Sequence, residues 1–235
     1  VLHLRSEHRW SDGKPFTTEA FSFWWEDIAN NKEVSPFGPP KLLVVDGELP
    51  EFEVIDETTV RYTWSKPNPY FLPALAGTRP MYIYAAKQFL KKYHGGYAKK
   101  KKLDKRVKGA GVRSWAALFN RKNSPYKNKN PKMPTLQPWR NTVKGPSQRF
   151  VFDRNDYFHR VDSEGQQLPY VDQVVMNIAS GKLIPAKTGA GESDLQARTL
   201  KFSDYTYLKE SEKRTANEVR LWETTKGAHM ALFPN

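Results

Sequence analysis

The order of apolar and polar positions changes period several times along the chain. Leu2-His-Leu-Arg5 alternates, the two-residue period of a half-buried strand. Phe21, Trp24, Trp25 and Ile28 recur at spacings that place them on one face of a helix over Phe21 to Ile28. That face is expected to pack against strands holding Val54, Val60 and Tyr62, because Phe52 to Trp64 reads as strand, turn, strand. Asp12-Gly13 suits a tight turn, and Thr17 is the expected helix N-cap. Ala85 to Tyr93 reads as a helix and Ser114 to Asn120 as a short helical turn. Residues 95–113 are rich in Gly and Lys and read as a loop. Residues 121–147 are dominated by Pro, Asn and Lys and read as largely irregular. Residues 95–130 are therefore expected to be the most mobile or irregular part.

In the last third, Arg149 to Asp153 alternates, and Val171 to Ile178 is an apolar run of strand length. The two form a strand pair joined by a long polar loop with turn residues at Asn155-Asp156, Gly165 and Pro169. Pro185 opens a short helix leading to Gly191. Tyr205 to Lys213 reads as another helix, with Ser203 as its N-cap. Val219 to Trp222 and Met230 to Phe233 read as strands. The class is mixed α/β, without internal repeats.

Composition narrows this little. At 38% hydrophobic and 27% charged residues, the chain has the balance of an ordinary soluble globular protein, and no apolar run reaches membrane-spanning length. The chain has no cysteine, which removes disulfides and thiol chemistry and is compatible with a bacterial periplasm. It opens inside a strand pattern, without a starting Met or a signal peptide, and so reads as a piece of a longer protein.

Charge distribution is more telling than the net +13. Residues 87–132 hold 16 Lys or Arg against one acid, Asp104, so the rest of the chain is close to neutral. With Trp115, Phe119 and Tyr126 interleaved, this stretch has the make-up of a nucleic-acid or polyanion-binding module. The competing reading is a solvated insertion, which the flanking segments favour.

Catalytic chemistry finds no support. Glu19, Glu26 and Asp27 are near in sequence but form no recognisable pair. His8 and Ser11-Asp12 make no nucleophile–base arrangement, and Gly109-Ala-Gly111 lacks the continuation of a phosphate loop. His3, His8, His94, His159 and His229 are too scattered to suggest a metal site and read as surface or internally satisfied residues. No cofactor is expected.

Four segments carry a resemblance. They are Trp10-Ser-Asp-Gly-Lys-Pro-Phe-Thr-Thr-Glu19 after Leu2-His-Leu-Arg5, and the strand–turn–strand of residues 52–64 before the Pro-rich loop Lys66 to Phe71. The others are Val151-Phe-Asp-Arg-Asn-Asp-Tyr-Phe158 with Gly165-Gln-Gln-Leu-Pro-Tyr-Val-Asp172, and Gly191-Glu-Ser-Asp-Leu195. In kind and order they resemble the extracellular solute-binding proteins of ABC importers, family 5, the group of oligopeptide- and dipeptide-binding proteins. Ala20 departs from the acid usual there. Residues 95–130 fall outside the likeness.

The resemblance implies a partial first lobe of a two-lobed periplasmic-binding-protein type II fold. Residues 1–145 would be its peripheral subdomain. Residues 146–235 would be the central-sheet part, ending at the crossover to a second lobe. It implies capture of a peptide, an oligosaccharide or a similar small solute without chemical change. Delivery to a membrane permease by hinge closure would follow, in the periplasm or outside the cell and membrane-associated through the transporter. It places first-lobe solute contacts at Phe37, Gln196, Arg198, Ala231 and Phe233. The Pro134-Thr-Leu-Gln-Pro-Trp139 segment resembles larger members, some of which bind oligosaccharides. Trp139 would then either stack on a sugar ring or plug the back of the subdomain. Phe233 and Arg198 are expected at one open edge through which the chain dimerises. Nucleic acid is not expected as a partner.

Overall fold

The structure, a computed structural model, describes residues 1–77, 80–124 and 130–223. The chain divides into two compact units, Val1–Met176 and Asn177–Asn235. The expected strand over 230–233, and with it Ala231, Phe233 and His229, lies outside the described residues.

The first unit is built on an antiparallel sheet of order β1-β3-β2, from β1 (Leu2–His3), β2 (Glu51–Val54) and β3 (Thr59–Thr63). Phe52 stands opposite Tyr62, and Leu2 opposite Val60. Helix α1 (Glu19–Trp24) lies over this sheet. Phe21, Trp24 and Ile28 are buried with Val60 and Tyr62, as their spacing anticipates. Val54 is not part of that core: it closes β2 beside the 55–58 turn and is largely exposed. The contact to the strands runs instead through Trp25, whose ring meets Phe52 at 5.7 Å and Tyr62 at 6.0 Å.

The helix departs from regular winding after Trp24. Residues Trp25–Ala29 form a π-turn. Its closing carbonyl, that of Trp25, accepts from both the backbone N–H of Asn30 (3.1 Å) and the Asn30 side-chain amide (2.9 Å). As consecutive helical residues, Trp24 and Trp25 point about 100° apart, Trp24 toward the core and Trp25 toward Phe52 and Tyr62. Thr17 is not the cap. The helix begins one residue later, and buried Thr18 donates its hydroxyl to the Asp56 carbonyl, tying the helix start to the β2–β3 turn.

Short helices complete the unit. They are α2 (Phe71–Ala76), α3 (Lys87–Leu90) with a 3-10 turn Lys91–Tyr93, α4 (Lys100–Gly109) and α5 (Trp115–Lys122). Helix α4 corrects the reading of 95–113 as a loop, while α5 bears out the helical turn read over Ser114 to Asn120 and extends it to Lys122. Lys, Arg and Leu are good helix formers, and Leu103 alone gives α4 a buried anchor. Helix α5 is capped by Ser114, whose hydroxyl accepts from the Ala117 N–H at 3.1 Å, and it buries Ala116, Leu118 and Phe119. Gly95 is required here, because a Cβ on it would sit 2.8 Å from the Trp115 indole.

A second sheet has the order β4-β5-β6, from β4 (Trp139–Asn141), β5 (Arg149–Arg154) and β6 (Gln173–Asn177). Strand β4 is a short regular element within the stretch 121–147 read as largely irregular. It pairs antiparallel with β5, Trp139 opposite Arg154. All residues of β6 are exposed, although Val174, Val175 and Met176 are apolar.

In the second unit, α6 (Ile184–Gly189) and α7 (Tyr205–Ser211) pack closely. Gly189 lies under the Tyr207 ring, where a Cβ would come within 2.6 Å. Ser203 is not the cap of α7. It lies in a 3-10 turn, Phe202–Asp204, closed by the Asp204 carboxylate accepting from the Lys201 N–H at 2.8 Å. Residues 219–222 form no strand, since no partner pairs with them among the described residues.

Candidate functional site

Three of the segments singled out in the sequence meet in the first unit. The turn at Trp10 to Gly13 closes with the Gly13 N–H on the Trp10 carbonyl at 2.8 Å, Gly13 at φ +78°. Ser11 and Thr135 exchange two bonds: the Ser11 N–H donates to the Thr135 carbonyl, and the Thr135 N–H to the Ser11 hydroxyl, both at 3.0 Å. Asn155, buried to 1% exposure, donates its amide to the Gln137 carbonyl (3.0 Å) and accepts from the Tyr157 N–H (3.1 Å). The Tyr157 ring in turn packs on Gly13, leaving too little room for an unstrained side chain there. These residues act as joints between chain segments that are distant in sequence.

The joints frame a cavity of about 360 Å³. Trp10, Trp24, Tyr82, Tyr84, Trp139 and Phe152 give it aromatic walls, and Gln137 and Arg140 add polar groups. Among the described residues, no carboxylate lines it. Tyr82 and Tyr84 line the cavity while Ile83 between them is buried in the core. Gln137 donates to the Tyr82 hydroxyl at 2.9 Å, which orients both. The Trp139 indole N–H donates to the Val171 carbonyl at 3.0 Å, holding the ring against the strand-bearing half while it lines the cavity. Flat apolar faces combined with amide, hydroxyl and guanidinium donors can hold a polyhydroxylated ring by stacking and hydrogen bonding.

Of the other expected contacts, Phe37 is the one described in the same unit, and it does not line this cavity. Phe37 stands on the 36–38 turn with its side chain fully in solvent, at 102% relative exposure. Gln196 and Arg198 lie in the second unit, and the Gln196 amide donates to the Arg198 carbonyl. Ala231 and Phe233 lie outside the described residues. Of the two expected contacts described in the first unit, Phe37 and Trp139, Trp139 lines the cavity. Trp10, Trp24, Tyr82, Tyr84 and Phe152 were not singled out as solute contacts in the sequence. The signal for two of them is the two-residue alternation of Tyr82-Ile-Tyr84.

Comparison with known proteins decides the family. The family model for bacterial extracellular solute-binding proteins, family 5, matches residues 1–233. The chain belongs to that family. It is similar to the periplasmic alpha-galactoside-binding protein of Rhizobium meliloti, at 25% identity over 222 residues, 93% of this chain and 28% of the relative. Among solved structures, an oligopeptide-binding protein OppA matches with a TM-score of 0.77 and 31% identity over 90% of this chain and 33% of its own. The periplasmic binding protein MelB of Agrobacterium fabrum, solved in complex with stachyose, matches with a TM-score of 0.64 and 27% identity over 92% of this chain and 29% of its own. The chain thus spans about a third or less of these relatives. Its mixed helix and strand architecture is that of part of the type II periplasmic binding fold.

The remaining chemistry of this family 5 chain is accounted for locally. Glu19 pairs with Lys87 at 2.9 Å, and Asp27 accepts from the Tyr97 hydroxyl at 2.6 Å. Buried His94 accepts the Gly96 N–H on Nδ1 (3.1 Å) and points Nε2 at the Asp27 carbonyl (3.2 Å), so Nε2 is the nitrogen that donates. Among the described residues, no group of three or more His, Cys, Asp or Glu is placed to hold a metal ion, and no helix is long and apolar enough to cross a membrane.

A second depression lies where Arg5 to Arg9 meets Tyr157 to His159, with the His8 and His159 rings 4.8 Å apart. The Arg5 guanidinium donates to the His159 carbonyl at 2.9 Å. Desolvation, with the charges of His159 and Arg5 behind it, lowers His8 from its ordinary 6.5 to about 4. Desolvation, then Arg160 and Arg5, also lowers His159. The unfolded chain therefore binds protons that the folded one refuses. Stability from this pair is full above about pH 6.5 and falls as the pH drops toward about 4. The urea midpoint is expected to fall between pH 7 and pH 5. His8→Gln should flatten that dependence, and an equally steep profile in the variant would remove His8 as its source.

Proposed function

We propose that this chain forms part of the solute-binding body of an ABC importer's extracellular receptor, and that its cavity takes a sugar ring of an oligosaccharide. The observation that carries the reading is the acid-free, aromatic wall around Trp139. The alpha-galactoside-binding relative, which matches 93% of the chain, supports the carbohydrate class. A second reading, oligopeptide capture, is favoured by the 31% identical OppA structure. In either case the solute is bound unchanged, in the periplasm or outside the cell, and handed to a membrane permease. Residues 1–145 and 146–235 act in this reading as peripheral subdomain and central-sheet part of one lobe, with Phe37, Gln196, Arg198, Ala231 and Phe233 as further contacts. Hinge closure against a second lobe selects the bound state.

Calorimetric titration of the intact protein with stachyose and with a set of oligopeptides tests this. Stachyose is expected to bind. Trp139→Ala should weaken it about tenfold, the loss of one stacking face. Trp139→Phe keeps a ring while losing the bond to Val171, and should retain most of the affinity with a lower melting temperature. Unchanged affinity in both variants would reduce Trp139 to a strut. Oligopeptide binding without stachyose binding would establish the second reading.

A further inference from the structure

The basic stretch does not spread its charge evenly. Lys92 from the 3-10 turn, Arg106 from α4 and Lys122 from α5 converge on the ring of Tyr93. The Lys92 ammonium lies 5.3 Å from the ring centre, the Arg106 guanidinium 5.6 Å and the Lys122 ammonium 5.5 Å. Lys92 also covers the Phe89 ring at 4.1 Å. Their positions are held by other bonds. Arg106 donates to the Lys92 carbonyl at 2.5 Å, and Lys122 to the Asn130 side-chain oxygen at 3.3 Å. Lys132 is close enough for its charge to be felt at Lys92.

Among the described residues, no carboxylate pairs with any of these four cations. The acid of this stretch, Asp104, precedes Arg106 by two positions and so faces the other side of α4. The Tyr93 face offers only a weak share of negative charge for three cations. Half-buried like charges brought together from separate elements repel, and the arrangement is stable in company with a counter-anion.

We propose that the Tyr93 cluster is a binding site for a phosphate-bearing anion, formed by Lys92, Arg106, Lys122 and Lys132. The guanidinium presents a fork to two phosphate oxygens while the ammonium groups act as point charges on the rest. A multiply charged phosphate suits the set better than a single carboxylate, because three cations converge on one ring and the charge of Lys132 adds to theirs. Partial burial, and then the charges of Arg106, Lys132 and Lys122, hold the Lys92 ammonium below the ordinary lysine range, and an anion arriving there would act in the opposite direction. Lys122 is lowered in the same way, by burial and then by Arg121 and Lys144. The anion can be a free phosphate or the headgroup of an acidic phospholipid, and this inference does not depend on the solute assigned to the Trp139 cavity.

The test uses the intact protein and its Lys92→Gln/Lys122→Gln double variant at low salt. Calorimetry with pyrophosphate, and flotation with vesicles of phosphatidylglycerol against phosphatidylcholine, read the two sources. Wild-type protein is expected to bind pyrophosphate, and the double variant about tenfold or more weaker. A rise in salt to about 0.5 M should weaken wild-type binding strongly. The variant's melting temperature without anion should equal or exceed that of wild type, since repulsion has been removed. Flotation with phosphatidylglycerol that the variant loses assigns the headgroup. Pyrophosphate binding without flotation assigns the free anion. Binding to duplex DNA that is the same in both proteins, without a pyrophosphate difference, would overturn the site in favour of diffuse charge. So would the absence of both ligands from wild type.

Discussion

Phe23→Ala is expected to lower the unfolding free energy by about 3–5 kcal/mol, the largest single effect in this chain. Phe23 is 1% exposed on α1, and its ring contacts His94, Tyr97 and Phe119. It is the point at which the first helix meets α5 and the turn after α3. Truncation leaves a cavity whose walls belong to separate elements. Those walls are held apart by bonds unrelated to Phe23: His94 to Asp27 and Gly96, and Trp115 to Glu33 at 2.8 Å. Collapse into the space is therefore limited, which places the cost in the upper range for such a change. Urea denaturation with a common slope for both proteins measures it. A loss below about 1 kcal/mol would mean that these elements do not share one core.

Asn155→Ala is expected to cost about 2–4 kcal/mol, although a polar side chain is removed. Both ends of the Asn155 amide serve backbone groups. Truncation orphans the Gln137 carbonyl and the Tyr157 N–H in a site that water does not reach easily. Asn155→Asp should be no better. It keeps the acceptor for Tyr157 but turns an oxygen toward the Gln137 carbonyl. Thermal unfolding of both variants beside wild type decides the matter. An Asn155→Asp protein as stable as wild type would show that the Gln137 bond contributes nothing.

Asn155 also shows what could be read in advance. Its dipeptide with Asp156 is legible as a turn, but the second half of its work, fastening residues 137–138, depends on a segment 18 positions away. The helix face of Phe21, Trp24 and Ile28 was legible because local spacing alone fixes it. Val54 was not, since its exposure depends on where β2 stops. Helix α4 was hidden because a run of lysines reads as solvated charge, while one buried Leu103 suffices to orient it. The cavity was legible only in part. Trp139 stands out in its Pro-rich context, but Trp24, Tyr82 and Phe152 reach the same space from three separate stretches, and no single window contains them.

The π-turn at Trp25–Ala29 has a consequence for how length is distributed along this chain. It stores one residue more than ordinary winding would need, in a helix whose two ends are tied to different structures. Upstream, Thr18 is fixed to the β2–β3 turn. Downstream, the Asp27 carbonyl is held by His94. Removing one residue within the turn would let the helix regularise, yet it would swing every side chain on one side of the cut by about a quarter-turn relative to the other. If Trp24 and Trp25 kept their places, the buried Ile28 and the Asp27 carbonyl that follow them would lose theirs. The indole pair and the buried residues after it are thereby locked to one chain length, and this stretch tolerates a change of residue type far better than a change in the number of residues.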